Sequence, residues 1–249
     1  MSYGLYMSAA GAHAQSHRMQ TISHNLANVD TPGFKPQSTV LQSRFAEMID
    51  SGEVSPGGGG IDDLGGGVTI GENAHSMARG PVKQTGRRTD FAIGDDDSFF
   101  VVRRDDEQML TRAGNFTFDS SGMLVTQRGD AVMSTTGGPI QIDPRRPFEV
   151  GDGGWIRQDG TQFQLMLGKP ASKGDLAMAD ENHFRPLASF DVVPPRQAKI
   201  NSGAIEGSAV SPTTTMLEMI ETTRVYEANV RMIQNQDTVT GNLISKMLR

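Results

Sequence analysis

The sequence predicts an α+β protein: long N- and C-terminal helices that pair as a coiled coil, with a central antiparallel all-β domain between them. Three observations carry that prediction. Apolar residues recur at three-and-four spacing at both ends of the chain, and short apolar runs alternate with turn residues through the middle. A run with eight glycines in seventeen positions, Ser51 to Gly67, separates the first helix from the strands. With 249 residues, 36% of them hydrophobic, the chain can bury a real core as one large domain or two small ones.

Residues 1–34 hold the first helix and its terminating turn. Leu5, Ala12, Met19 and Leu26 lie seven apart, and Ile22 and Val29 continue a second row begun by Ser8 and Gln15. This is the period of a coiled-coil seam, dotted with small residues that admit a close neighbour. The helix stops at Thr31-Pro32-Gly33-Phe34, where Pro presets φ at the second position of a tight turn and Gly accepts a positive φ at the third. Residues 35–67 read as a flexible Gly-rich linker, with a short helix or strand around Val40 to Ile49. So many glycines lose too much backbone entropy on folding to join a core.

Residues 68–200 read as short strands: Phe91 to Ile93, Phe99 to Val102, Asn115 to Phe118, Leu124 to Thr126, and further apolar runs up to Gly168. Their turn signals recur every eight to twelve positions, the pattern of antiparallel all-β architecture. The stretch PLASFDVVPPRQAKI reads as the last sheet segment, placed at an edge by its prolines.

Residues 201–249 lead into and form the last helix. Ser211 caps it and Pro212 takes the first helical position, where a missing N–H costs nothing. Met219, Tyr226, Ile233 and Met247 share one seven-residue row, interrupted by Thr240; Thr223, Val230 and Ile244 share another, interrupted by Asp237. Burying such side chains is worth about 1.5–3 kcal/mol each. The central sheet cannot cover either stripe along its full length, so the two stripes are expected to cover each other and then pack on copies in other subunits.

Composition excludes several classes. A net charge of −6 disfavours a nucleic-acid partner. No apolar run approaches the ~18 residues of a membrane span, and the first residues lack the basic and apolar regions of a cleaved secretory signal. Without cysteine there is no thiol catalysis, disulfide or thiolate metal site, which suits a chain that passes unfolded through an export channel or lives in an oxidising space, and suits many cytosolic proteins too. His13 and His17 stand four apart on a helix, but Ala14 replaces the Glu of the zincin pattern, so solvated surface is the better reading. Asp95-Asp96-Asp97 and Asp105-Asp106-Glu107 lack calcium-loop spacing and read as turn tips. The Gly57–Gly60 cluster lacks the Lys-Ser/Thr of a phosphate loop. Arg87-Arg88, Arg103-Arg104 and Arg145-Arg146 read as subunit contacts or solvated surface. No G-x-S-x-G elbow is present. Neither a catalytic residue, a metal ligand nor a cofactor is expected.

Four stretches, in this order, resemble the bacterial flagellar rod and hook proteins. The first is NLANVDTPGFK, with Asn25, Asn28, Thr31, Pro32, Gly33 and Phe34 matching a helix end N-x-A-N followed by a T-x-G-[FY] turn. The others are GRRTDFAIGDDDSFFVV, LTRAGNFTFDSSGMLVTQRG, and SGAIEGSAV leading into MLEMIETTRVYEANVRMIQNQD. One departure stands out: the family usually has Ser-Asn-Val where this chain has Ser208-Ala209-Val210, and Ser211 with Pro212 is expected to take over the helix start.

The resemblance implies a structural, non-enzymatic subunit of the flagellar basal-body rod, most like the proximal-rod members, then the distal-rod members, with the usually longer hook protein behind them. In that family the terminal helices pair as a coiled coil lining an axial tube. Implied partners are further copies, neighbouring rod and hook proteins, and the flagellar type III export apparatus. Nucleic acid and direct membrane insertion are not implied. The location would be the periplasm-spanning rod, reached without a cleaved signal. The rival from another class is a secreted β-rich adhesin or a hydrolase with amphipathic ends.

Overall fold

The computed structural model describes residues 3–43 and 67–247. The Gly-rich run, apart from Gly67, lies outside the described residues, as do residues 44–49 of the short element expected around Val40 to Ile49. The chain is α+β: an N-terminal helix α1 (Tyr3–Ala27), a central set of antiparallel strands, and a C-terminal helix α2 (Pro212–Met247). Two compact units divide it. One comprises residues 1–27, 37–76 and 211–249; the other comprises 28–36 and 77–210.

In the helical unit α1 and α2 run antiparallel. A Cβ on Gly4 would meet the Gln236 side chain, a Cβ on Gly11 would meet Asn229, and Thr223 Oγ1 stands 4.0 Å from Met19 Sδ. Small residues on α1 let α2 approach there. Another side of α1 meets two strand pairs, Gln37–Ser38 with Ala74–His75 and Leu41–Ser43 with Val68–Ile70, while Tyr6, His13, Gln20 and Ala27 stay exposed. Met7 and Ala10 pack beside Gly67, whose φ is +93°. Ser211 and Pro212 begin α2 as the sequence predicts: the Thr215 amide donates to the Ser211 carbonyl at 2.9 Å, and the Ser211 and Thr214 hydroxyls lie 3.1 Å apart.

The β unit is organised by the strand Phe99–Arg104, which pairs with Glu107–Thr111, Ala131–Val132 and Leu167–Pro170. Successive side chains of a strand point to opposite faces. Phe100 and Val102 therefore enter one core, with Phe91, Phe116, Leu124 and Leu167, while Phe99 and Val101 enter a second, with Leu110, Met133 and Phe184. Being buried on both faces explains the unbroken apolar run FFVV. Edge-to-face ring pairs at 5.2 Å (Phe100–Phe116) and 5.8 Å (Phe99–Phe184) fill the two cores. The segment Phe190–Val192 pairs with Leu167–Pro170 alone among the described strands, which is the edge position that its neighbouring prolines predict.

Candidate functional site

The turn that ends α1 is built as its residues require. The Phe34 amide donates to the Thr31 carbonyl at 3.3 Å, and Gly33 has φ +69°, the conformation of the third position of a type II turn. A Cβ on Gly33 would collide with the Ala113 backbone nitrogen, so glycine is required by space as well as by φ. Asn28 accepts from the Thr31 hydroxyl at 3.0 Å. Asn25 clamps the chain as it returns beside α1: its amide donates to the Gln37 carbonyl at 2.7 Å and its oxygen accepts from the Gln37 amide at 2.9 Å. Pro32 is half-buried; Phe34 is wholly buried in the β unit.

Just past this turn lies a charged cluster that the sequence reading missed. Lys35 Nζ donates to Glu206 Oε1 and to the Ala78 carbonyl, both at 2.7 Å. Glu206 Oε1 also accepts from the Gly80 amide at 3.1 Å, and its Oε2 lies 3.4 Å from Arg112 Nη1. Arg112 donates to the Asp95 carbonyl at 2.7 Å and stacks over the Phe99 ring at 4.8 Å. All three side chains are at most 2% exposed. Burial pulls the Lys35 ammonium below its ordinary pKa and Glu206 opposes that pull; Arg112 is lowered in the same way.

Backbone bonds converge on the same place. The Gly33 amide donates to the Glu206 carbonyl at 2.9 Å, Ala209 to Phe34 at 3.2 Å, and Phe91 to Gly114 at 2.9 Å. Strand Ile200–Ser202 pairs with Phe91–Ile93, and Ala204–Glu206 with Val82–Gln84. The four motifs are thus one locus: TPGFK, DFAIGDDD, LTRAG and AIEGS meet around a buried carboxylate. The arrangement fastens the segment leaving α1 to the segment entering α2. It offers no nucleophile–base pair and no converging metal-ligand set among the described residues.

A second ion cluster is built around Arg104, at the end of strand Phe99–Arg104. Arg104 grips Asp130 with two bonds of 2.9 Å and Asp180 with one of 2.6 Å, and Arg128 reaches Asp180 and Glu181 at 3.1 and 2.9 Å. One member of an Arg pair read as subunit contact or solvated surface, Arg104, is thus tied into the fold by these ion pairs. Burial alone would raise the Asp130 carboxyl, but Arg104 holds it below its usual value. The buried His183 ring, 3.4 Å from Asp130, is pushed down by desolvation. Asp95 accepts from the Asp97 and Ser98 amides at 3.1 and 2.7 Å, as a turn tip does.

The residues read as an assembly seam fall into three groups. Ala12 and Ile22 are buried; Leu5, Met19, Leu26, Met219, Tyr226, Val230 and Ile233 are half-buried, as is Val29, which lies just beyond α1; Ile244 and Met247 are exposed. Beside the predicted Met219–Ile233 row, on the side away from Thr223 and Val230, runs a polar row, Thr215, Thr222, Asn229 and Gln236, which supplies the helix's buried residues Thr215 and Thr222 and the side chains over Gly4 and Gly11. Gln15 Oε1, Thr222 Oγ1 and Gln236 Oε1 are buried without a hydrogen bond. Because Gly4 stands opposite Gln236, α2 runs past the described start of α1 by roughly ten residues, about 15 Å.

Three family models match the chain, in order and together over more than half of it. They are "Flagella basal body rod protein" at residues 5–35, "Flagellar hook protein FlgE/F/G D1 domain" at 93–161, and "Flagellar basal body rod FlgEFG protein C-terminal" at 201–246. The chain is 28% identical to the flagellar basal-body rod protein FlgF of Caulobacter vibrioides, over 99% of this chain and 98% of the relative. It is 29% identical to the rod protein FlgG of Bacillus subtilis, over 98% and 99%. A flagellar hook protein, FlgE of Helicobacter mustelae, is 30% identical over 65% of this chain and 36% of its own length. Matches that span the chain from the first helix to the last, and that include Lys35, Arg112 and Glu206 of the buried junction, show that the chain belongs to the flagellar basal-body rod protein family.

Proposed function

We propose that the chain is a structural subunit of the bacterial flagellar basal-body rod, polymerising through its terminal helices into the hollow drive shaft for motility. The observation that carries this reading is the contrast inside α2. Its described surface exposes nine large apolar side chains from Met216 to Met247, while its buried residues are two threonines. A helix so arranged is incomplete in the single chain and is completed by neighbours. In the assembled rod, α1 and α2 tighten into a coiled coil with helices of other subunits. The chain acts beside other rod and hook proteins at the basal body and reaches it through the flagellar type III export apparatus. The proximal rod is the favoured position, with the distal rod second.

Truncation tests the reading. Removing residues 1–30 or 212–249 is expected to abolish incorporation into purified basal bodies and swimming, while the remaining chain stays soluble and β-rich by circular dichroism. A truncated chain that still enters the basal body, or still restores swimming, contradicts it. An adhesin or hydrolase would keep its binding or its rate in the same truncations.

A further inference from the structure

We infer that the turn Ala179–Asn182 is an acid-released strap over the turn that ends α1, with His183 as its trigger. The strap joins strands Leu176–Met178 and His183–Pro186 and is held from several sides. Its Ala179 and Asp180 amides donate to the His183 carbonyl at 2.9 and 3.3 Å. Asp180 is gripped by Arg104 and Arg128, and Glu181 by Arg128. Asn182 reaches further. Its carbonyl accepts from the Thr111 hydroxyl at 2.6 Å, and its side-chain amide donates to the Pro32 carbonyl at 3.4 Å. The Thr111 hydroxyl in turn accepts from the Ala113 amide at 3.0 Å, and Gly33 packs against that same stretch of backbone. The strap therefore bears on the Thr31–Phe34 turn twice, directly at Pro32 and through Thr111 beneath Gly33.

His183 makes the strap conditional. Its side chain is 2% exposed, and neither ring nitrogen makes a hydrogen bond among the described residues, although Nε2 stands 3.4 Å from Asp130 Oδ2. Asp130 is already engaged: Arg104 occupies both of its oxygens, and the Thr126 hydroxyl donates to one of them at 3.3 Å. A neutral imidazole carries one N–H and one acceptor nitrogen, and both lose their water when the strap is closed. Opening returns them to water, where the ring takes a proton near its ordinary pKa of about 6.5. The charged groups facing the ring act in both directions. Asp130 and Asp180 favour a proton on it, Arg104 and Arg128 oppose one, and burial, the largest influence, leaves the ring below its ordinary value. On the neighbouring strand Glu107 pairs with Arg185 at 3.0 Å, both exposed. Asp130 and Asp180 are themselves held low, so they stay ionised at mildly acidic pH. Acid thus favours the open strap, by at most about tenfold in population for one proton between roughly pH 7.5 and 5.5.

Hydrogen exchange on the full-length chain at these two pH values, corrected for the intrinsic pH dependence of exchange, tests the inference. Protection of the Ala179 and Asp180 amides is expected to fall by up to about tenfold on acidification, and that of Gly33 and Phe34 to fall with it. His183→Gln keeps a polar side chain that takes no proton, and should leave all four amides indifferent to pH. Asn182→Ala should keep the strap's response and remove most of it from Gly33 and Phe34. Circular dichroism verifies that both variants fold. NMR titration of the wild-type His183 ring, which needs no variant, should give a midpoint below 6.5. Wild-type strap amides unmoved by acid overturn the inference, as does a ring midpoint at or above that value or a full pH response in His183→Gln. Gly33 and Phe34 amides that ignore the strap in the wild type, or still follow it in Asn182→Ala, overturn it as well. So does strap protection equal to that of Phe99–Arg104, because the strap would then open only when the whole β unit unfolds.

Discussion

The two compact units of this chain bury their apolar residues to very different degrees. In the β unit Phe91, Phe100, Phe184 and Leu110 are wholly buried, and a buried lysine and a buried arginine share one buried glutamate. In the helical unit the longest helix, α2, buries two threonines and leaves Leu217, Val239 and Leu243 more than half exposed. The β unit is therefore complete within one chain, and the helical unit is not. This difference separates what folding accomplishes from what assembly accomplishes. The β unit buries its apolar residues within one chain, and the helices leave apolar surface exposed, which the proposed function assigns to contacts with other subunits.

The largest blow to the β unit should come from Glu206. Replacing it by alanine strands Lys35 and Arg112 in the interior and leaves the Gly80 amide without its acceptor. The expected loss is about 3–5 kcal/mol in urea unfolding, the usual cost of breaking a buried ion pair from one side. The same substitution sharpens the comparison, because the α1–α2 contact contains no residue of this cluster. A loss below about 1 kcal/mol would mean that the junction is not what fastens the motif segments.

A smaller effect should follow from acid. Burial lowers the His183 pKa from 6.5, so the unfolded chain takes up that proton before the folded one does. More protons on the unfolded state mean that stability falls with falling pH, starting near 6.5 and ending at the folded value. The slope is at most about 1.4 kcal/mol per pH unit for one such group. Unfolding midpoints compared at pH 7.5 and 5.5 should show the decline, and His183→Gln should flatten it. The carboxylates facing this ring, Asp130 and Asp180, are held below their ordinary values, so their contribution is lost only at lower pH.

Much of this was legible in the sequence. The helix-breaking turn at Thr31–Phe34, the start of α2 at Pro212 and the edge position of Phe190–Val192 all follow from proline and glycine chemistry at single positions. The doubly buried strand follows from an unbroken FFVV. The Lys35–Glu206–Arg112 cluster was not legible, because hydrophobic periodicity carries no information about which distant charges meet. Its one signal was a charged residue inside each of three short motifs, TPGFK, LTRAG and AIEGS, which a surface residue would not need. The polar row Thr215–Gln236 escaped for a related reason. A stripe read from apolar residues alone cannot show that close approach to Gly4 and Gly11 is made by the polar side chains beside its rows.

The claim that one unit is complete and the other is not can be measured directly by hydrogen exchange on the full-length chain at a concentration where it is monomeric. Amides of Phe99–Arg104 and Glu107–Thr111 should stay protected with nearly the global unfolding free energy, while those of residues 237–247 exchange within seconds. Protection of residues 237–247 equal to that of the central strands, unchanged by dilution, would contradict the account.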